Sequence, residues 1–167
     1  MKRIITILIC IVLLIIDNTF APFIGIKGAY PSFLFTFAVA YSLINNEREA
    51  VFIGGVSGIL QDIFFSNTIG INALTNMLIC LLVWYIGKNV FKRRKIVPVA
   101  TMFLITILKH LSVFAIFSIL HYKMGISIEQ LLIVAIYNSI IMLIGYRYVF
   151  KFSKQKDNLR SKWRLRW

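Results

Sequence analysis

With 59% hydrophobic residues, 14 Phe and a mean hydropathy of +0.82 over 167 residues, this chain excludes an ordinary water-soluble domain. Its net charge of +13 is accompanied by no nucleic-acid-binding motif, so it reads as a membrane-topology signal and no nucleic-acid partner is expected. Apolar runs recur along almost the whole length, which points to one integral membrane domain, residues 1–150, followed by a short basic tail, residues 151–167.

In chain order, Met1-Lys2-Arg3 followed by Ile4 to Ile16 has the outline of a secretory signal, but Thr19-Phe20-Ala21 is a poor cleavage site and Pro22 follows it directly. The stretch Ile4–Phe23 is therefore expected to be an uncleaved first transmembrane helix. Five more spans are predicted at Tyr30–Ile44, Glu47–Phe65, Ile69–Gly87, Val97–Leu120 and Ile128–Phe150. Each offers about 15–24 residues against the roughly 20 needed to cross. Pro31 suits the opening of the second span, where its missing N–H costs nothing. Asn46 with Glu49, and Ser127 with Gln130, resemble capping boxes that start the third and sixth spans. Ser66-Asn67-Thr68 forms a short turn between the third and fourth. Cys10 and Cys80 lie in apolar spans without metal-ligand spacing and read as inert buried thiols.

Ser57, Gln61 and Asp62 weaken the hydropathy of the third span, and charge asymmetry decides its fate. If all six spans cross with the N-terminus inside, the cytoplasmic side receives Lys2, Arg3, Arg48, the Lys88/Lys92/Arg93/Arg94/Lys95 cluster and the tail, while the outer side keeps only Lys27 and Lys123. If the third span did not cross, Lys92-Arg93-Arg94-Lys95 and the tail would lie outside, against the positive-inside rule. The expected fold is an all-α membrane protein, a compact bundle of six transmembrane helices with both termini cytoplasmic. In the tail, Lys154, Lys156, Arg160, Lys162, Arg164 and Arg166 alternate with Leu159, Trp163, Leu165 and Trp167. That pattern fits a segment lying on an anionic leaflet, or a solvated topology tail.

The most distinctive stretch is Gly54-Gly55-Val56-Ser57-Gly58-Ile59-Leu60-Gln61-Asp62. On a helix, Ala50, Gly54, Gly58 and Asp62 form one narrow stripe that lets another backbone approach. The carboxylate ending it must be buried in protein or line a cavity. On the six-span topology Asp17, Asp62, Asn72 and Asn76 fall in the outer half of the bundle and Lys109 near the middle of the fifth span. Asp62 is expected to pair with Asn72 and Asn76 or with Lys109, unless it reaches headgroup water. Two isolated acids on different helices make a weak case for acid–base catalysis. His110 and His121 are about 16 Å apart along a helix axis, too far to share a metal. No nucleophile elbow, zinc motif or phosphate-cradling loop is present, so neither an enzyme nor a cofactor is expected.

Pro31 opening the second span, the Gly54-Gly55-x-x-Gly58-x-x-x-Asp62 segment, and Gly70-Ile71-Asn72-Ala73-Leu74 opening the fourth resemble the MreD family of rod shape-determining membrane proteins. The layout covers almost the whole chain and the specific motif about residues 31–74. Two positions depart from the family pattern. An acidic residue often follows the proline, where this chain has Ser32, and a Gln often stands near the outer end of the first helix, where this chain has Asp17-Asn18.

The resemblance implies a non-enzymatic scaffold, multi-pass in the bacterial inner membrane, within the elongation machinery that builds lateral cell wall. Its partners would be MreC, the actin-like MreB, and a RodA-type glycosyltransferase with a class B penicillin-binding protein. Gly54, Gly55, Gly58, Asp62, Gly70, Asn72, Asn76 and Pro31 are then packing or interface residues. A weaker likeness to the substrate-binding subunits of energy-coupling-factor vitamin transporters leaves small-solute binding as the alternative. Binding of lipid or a lipid-linked precursor between helices also stays open.

Overall fold

The computed structural model describes residues 2–65, 70–89, 96–119 and 127–164, the last stretch for side chains only as far as Ser153. Seven helices follow one another: α1 Lys2–Thr19, a short α2 Ala21–Ile24, α3 Phe33–Ile44, α4 Glu47–Phe65, α5 Ile71–Asn89, α6 Ile96–Ile119 and α7 Ile128–Arg164. The Ser66-Asn67-Thr68 turn, the Lys92-Arg93-Arg94-Lys95 cluster, His121, Lys123, Arg166 and Trp167 lie outside the described residues. So do the side chains of Lys154, Lys156, Arg160, Lys162, Trp163 and Arg164. By length and composition, Ile71–Lys88, Ile96–Ile119 and Ile128–Ser153 are apolar enough to cross a membrane, and Phe33–Ile44 is a shorter apolar helix. α1 carries Lys2, Arg3 and Asp17, and α4 carries Glu47, Arg48, Glu49 and Asp62, which lowers their hydropathy.

α3 is the centre. Its sequence, Phe-Leu-Phe-Thr-Phe-Ala-Val-Ala-Tyr-Ser-Leu-Ile, has no charged residue, so no face of it prefers water. Ten consecutive residues, Leu34 to Leu43, are buried, and the helix touches α1, α4, α5, α6 and α7. Outward faces of the surrounding helices are apolar: Ile4, Leu8 and Ile15 on α1, Leu104 and Leu111 on α6, and Ile140 and Ile144 on α7 are all exposed. A surface of this kind requires lipid or protein against it.

Three local details differ from the sequence expectation. The first predicted span is divided by a turn at Phe20, just before Pro22 in α2, where proline cannot supply an N–H to continue the α1 ladder. Ser32, not Pro31, occupies the N-cap of α3, its extended backbone placing Pro31 one residue outside the helix. The capping-box glutamate and glutamine are drawn to tertiary partners instead: Glu49 pairs with Arg3 at 3.5 Å, and Gln130 donates to the Lys27 carbonyl at 2.8 Å.

The Ala50–Gly54–Gly58–Asp62 stripe faces α5, as its small residues suggest. A Cβ on Gly54 would lie 2.7 Å from the Asn76 carbonyl oxygen and the Met77 Cα, and one on Gly58 would overlap Ala73 Cα and the Asn72 carbonyl oxygen. Gly55 faces open space. Gly87, which the sequence did not single out, makes the corresponding contact at the other end of α5, where a Cβ would come within 2.8 Å of the Leu43 carbonyl oxygen.

Backbone-to-backbone contact of this kind cannot yield as a flexible side chain can. Gly54→Ala and Gly58→Ala, and more so Gly58→Leu, are therefore expected to lower stability in detergent by about 1–3 kcal/mol through overpacking. Gly55→Ala should be neutral or slightly stabilising, because it adds helix propensity without a clash. Thermal unfolding of the purified variants checks the contrast.

Candidate functional site

α3 has only 12 residues, about 18 Å at 1.5 Å per residue, so both its ends fall inside the bundle. Helix ends leave backbone groups without intrahelical partners, and buried ones need acceptors from elsewhere. At the N-terminal end the acceptor is Asp17 of α1. Its Oδ1 accepts from Phe33 N at 2.6 Å, and its Oδ2 accepts from Leu34 N at 3.1 Å and from Ser32 Oγ at 3.0 Å. At the other end Asn45 donates from both its backbone N and its side chain to the Tyr41 carbonyl, and Ser153 of α7 donates to Asn45 Oδ1 at 2.9 Å.

Asp62 of α4 performs the same task for α5. Its Oδ2 accepts from Gly70 N at 2.9 Å and Ala73 N at 3.0 Å, while Oδ1 accepts from Asn72 N at 3.0 Å and Asn72 Nδ2 at 3.1 Å. Gly70 sits at φ +107°, a left-handed conformation that favours glycine and turns its N–H onto the carboxylate. Asp17 and Asp62 are 5% and 1% exposed. Each charge thus meets the partial positive end of a neighbouring helix, through charge-assisted hydrogen bonds.

Between these two caps runs a polar network through the apolar bundle. Ser32 Oγ accepts from Phe35 N and from Gln61 Nε2, both at 3.3 Å, and Ser32 N donates to Asn138 Oδ1 of α7 at 3.0 Å. Gln61 Oε1 accepts from Lys109 Nζ of α6 at 2.7 Å and from Asn76 Nδ2 of α5 at 2.9 Å. Asn138 Nδ2 reaches Thr106 Oγ1 of α6 at 3.4 Å. Ser32 and Gln61 therefore tie α1, α3, α4, α5, α6 and α7 together at one end of the molecule.

The expected groups do converge, with altered partners. Asp62 joins Asn72, but Asn76 turns to Gln61 and Ser57, and Lys109 takes the neutral Gln61 amide rather than either carboxylate. Sequence reasoning missed Gln61, Ser32 and Asn138 as connectors. The available signal was their polarity in otherwise apolar helices, since such residues turn inward.

Beside the network lies a cavity of about 470 Å³, bordered by Asp17, Tyr30, Phe35, Asn72, Lys109 and Asn138. An adjoining space of about 370 Å³, sharing Tyr30, Asn72, Lys109 and His110, extends towards Gln130 of α7. Its rim is a tight turn: Ile26 and Ala29 exchange backbone hydrogen bonds around Lys27 and Gly28, both at positive φ. α7 holds that turn through Lys27–Glu129 at 3.0 Å, Gln130 to the Lys27 carbonyl, and Tyr137 Oη to the Ile24 carbonyl at 2.9 Å. Among the described residues no group of three His, Cys, Asp or Glu is arranged to hold a metal.

Removing either carboxylate strands more than one buried N–H, each costing about 1–3 kcal/mol before relaxation. Asp17→Ala and Asp62→Ala should each lose on the order of 2–4 kcal/mol, with Asp62→Asn intermediate because its amide nitrogen faces donors. Equal unfolding midpoints for wild type and Asp62→Ala in detergent would show that α5 does not depend on its cap.

No curated protein and no solved structure matches the chain. The family model described as rod shape-determining protein MreD matches residues 1–156. A membrane protein with helices of this length and apolarity, matched over nearly its whole length, belongs to the MreD family and has a role in rod shape determination.

Proposed function

We propose that the protein is a non-enzymatic, six-span scaffold of the inner membrane, both termini cytoplasmic, that holds together the machinery for lateral cell-wall elongation. Family membership carries this reading. It is supported by an architecture in which contact with partners falls to apolar helix faces, since the described segments between helices are short.

Crossing by α1 and α4 fits their charge placement. On α1 the basic residues stand at its start, and its one acid is consumed in capping α3. On α4, residues 50–61 carry no charge, Asp62 is consumed in capping α5, and Glu49 pairs with Arg3. The hydropathy deficit of both helices is thus removed by partners before lipid is met. The side that would face the cytoplasm carries the excess of Lys and Arg.

In this reading the Gly54/Gly58 contact and the Asp62 cap fix α4 and α5 as one unit, against which an MreC-type partner and the RodA-type synthase with its class B penicillin-binding protein dock. MreB lies on the side of the basic tail, whose Lys154, Lys156, Arg160, Lys162, Trp163, Arg164, Arg166 and Trp167 would meet anionic lipid.

Expression in a rod-shaped host depleted of its own family member tests the proposal. Restored rods and co-purification of an MreC-type protein are expected from wild type, and round cells from Gly58→Leu. Unchanged rounding with wild type, or lost vitamin uptake instead of lost shape, would overturn it. In a background lacking Cys10 and Cys80, a cysteine at Lys27 should react with an impermeant thiol reagent in intact cells, and one at Lys2 should not. The reverse pattern would overturn the topology.

A further inference from the structure

The scaffold reading gives the cavity beside Ser32 and Gln61 nothing to do. Two of its lining residues, Lys109 and Tyr30, have donor capacity not used by the described residues. Lys109 gives one N–H to Gln61 Oε1 at 2.7 Å and lies over the Phe35 ring at 4.2 Å, and its remaining side lines the cavity. Among the described residues no carboxylate lies within ion-pair distance of this ammonium. The two carboxylates that act on it from farther off are already engaged: Asp17 by Phe33 N, Leu34 N and Ser32 Oγ, and Asp62 by the start of α5.

Tyr30 lines both parts of the cavity, and among the described residues its hydroxyl has no hydrogen-bond partner. His110 Nδ1 lies 2.9 Å from the Thr106 carbonyl oxygen, an acceptor only, so that nitrogen carries the proton and Nε2 is an acceptor that offers an anion nothing. The direct contacts of the Lys109 ammonium are neutral, with Asp17 and Asp62 acting on it only from beyond ion-pair distance, so an anion brought against it inside the bundle would be favourable. Pro22, Pro31, Phe35 and Val134 form an apolar part of the wall, and Asp17, Ser32, Gln61 and Asn138, already bonded to one another or to α3, line the remainder.

We propose that this cavity binds a phosphate group through Lys109, with the Tyr30 hydroxyl as a further donor and the apolar part of the wall receiving the body that carries it. Lysine acts on phosphate as a point charge and needs no bidentate geometry. A tetrahedral oxyanion has acceptors enough for donors reaching it from α6 and from the loop before α3. The volume, about 470 Å³ with a further 370 Å³ adjoining, admits more than a bare ion. Two sources share this chemistry: the headgroup of an anionic lipid entering from the bilayer, and a soluble phosphate compound.

Thermal unfolding of the full chain in nonionic detergent, with added phosphatidylglycerol, inorganic phosphate or diacylglycerol, tests the site. A saturable rise of the midpoint with phosphatidylglycerol or phosphate is expected in wild type and Lys109→Arg, and its loss in Lys109→Gln. A rise with phosphatidylglycerol alone identifies a lipid headgroup, and one with inorganic phosphate as well identifies a soluble source. No rise with either, an equal rise with diacylglycerol, or an undiminished rise in Lys109→Gln would overturn the proposal. Should Lys109→Gln fail to fold, acetylation of Lys109 in the wild-type protein, mapped by peptide mass, gives a second readout. Phosphatidylglycerol or phosphate should slow it several-fold, and equal labelling with and without them would overturn the site. Neither measurement depends on the partners of the scaffold.

Discussion

The structure depends on how two carboxylates are kept inside an apolar bundle. An isolated buried carboxylate is costly by several kcal/mol, and a buried counter-ion brings its own desolvation cost. Here each charge is given a helix N-terminus. Asp17 takes the first N–H groups of α3, and Asp62 takes those of α5. The arrangement answers two demands together, since the helix start needs acceptors as much as the carboxylate needs donors. It also fixes geometry: α1 cannot slide along α3, nor α4 along α5, without breaking several charge-assisted bonds.

The caps matter because α3 is short and central. A longer helix would carry its ends to water or headgroups, and its first N–H groups would be hydrated. Twelve uncharged residues surrounded by five helices leave the ends inside. Ser32 then becomes a meeting point, contacting Asp17, Asn138 and Gln61 from three different helices. Close backbone packing at Gly54, Gly58 and Gly87 sets the distances at which these short polar side chains can meet. Packing and polar contacts are therefore one device. The small residues bring the helices near enough for the hydrogen bonds, and the hydrogen bonds select the register of the packing.

Function follows from what is left over. With polar groups turned inward, the outer faces of α1, α6 and α7 are apolar, as suits a membrane protein of the MreD family. The capped end contrasts with the cavity beside it, where among the described residues Lys109 has no carboxylate within ion-pair distance and the Tyr30 hydroxyl no hydrogen-bond partner. Rigidity there holds the walls in place.

The sequence by itself determined the class, the helix positions and the facing of one stripe. Apolar runs with short punctuation admit only helices in a bilayer, since every backbone group must be paired within its own segment, and glycines four apart ending in an acid must face protein. It also indicated Asp17, Asp62, Asn72, Asn76 and Lys109 as a set, because polar residues in apolar helices turn inward. Only the tertiary structure decided who pairs with whom. Asp62 could meet Asn76 or Lys109 equally well on grounds of helix periodicity, and what excludes both is the approach of the α5 N-terminus, a backbone partner that leaves no mark in side-chain spacing. The polarity of Ser32, Gln61 and Asn138 marked them as inward-facing, but their partners, like the contact at Gly87, come from a crossing point of helices distant in sequence. Capping-box signatures at Asn46/Glu49 and Ser127/Gln130 describe local preference alone, and Arg3 and the Lys27 carbonyl, brought near by packing, outcompete it.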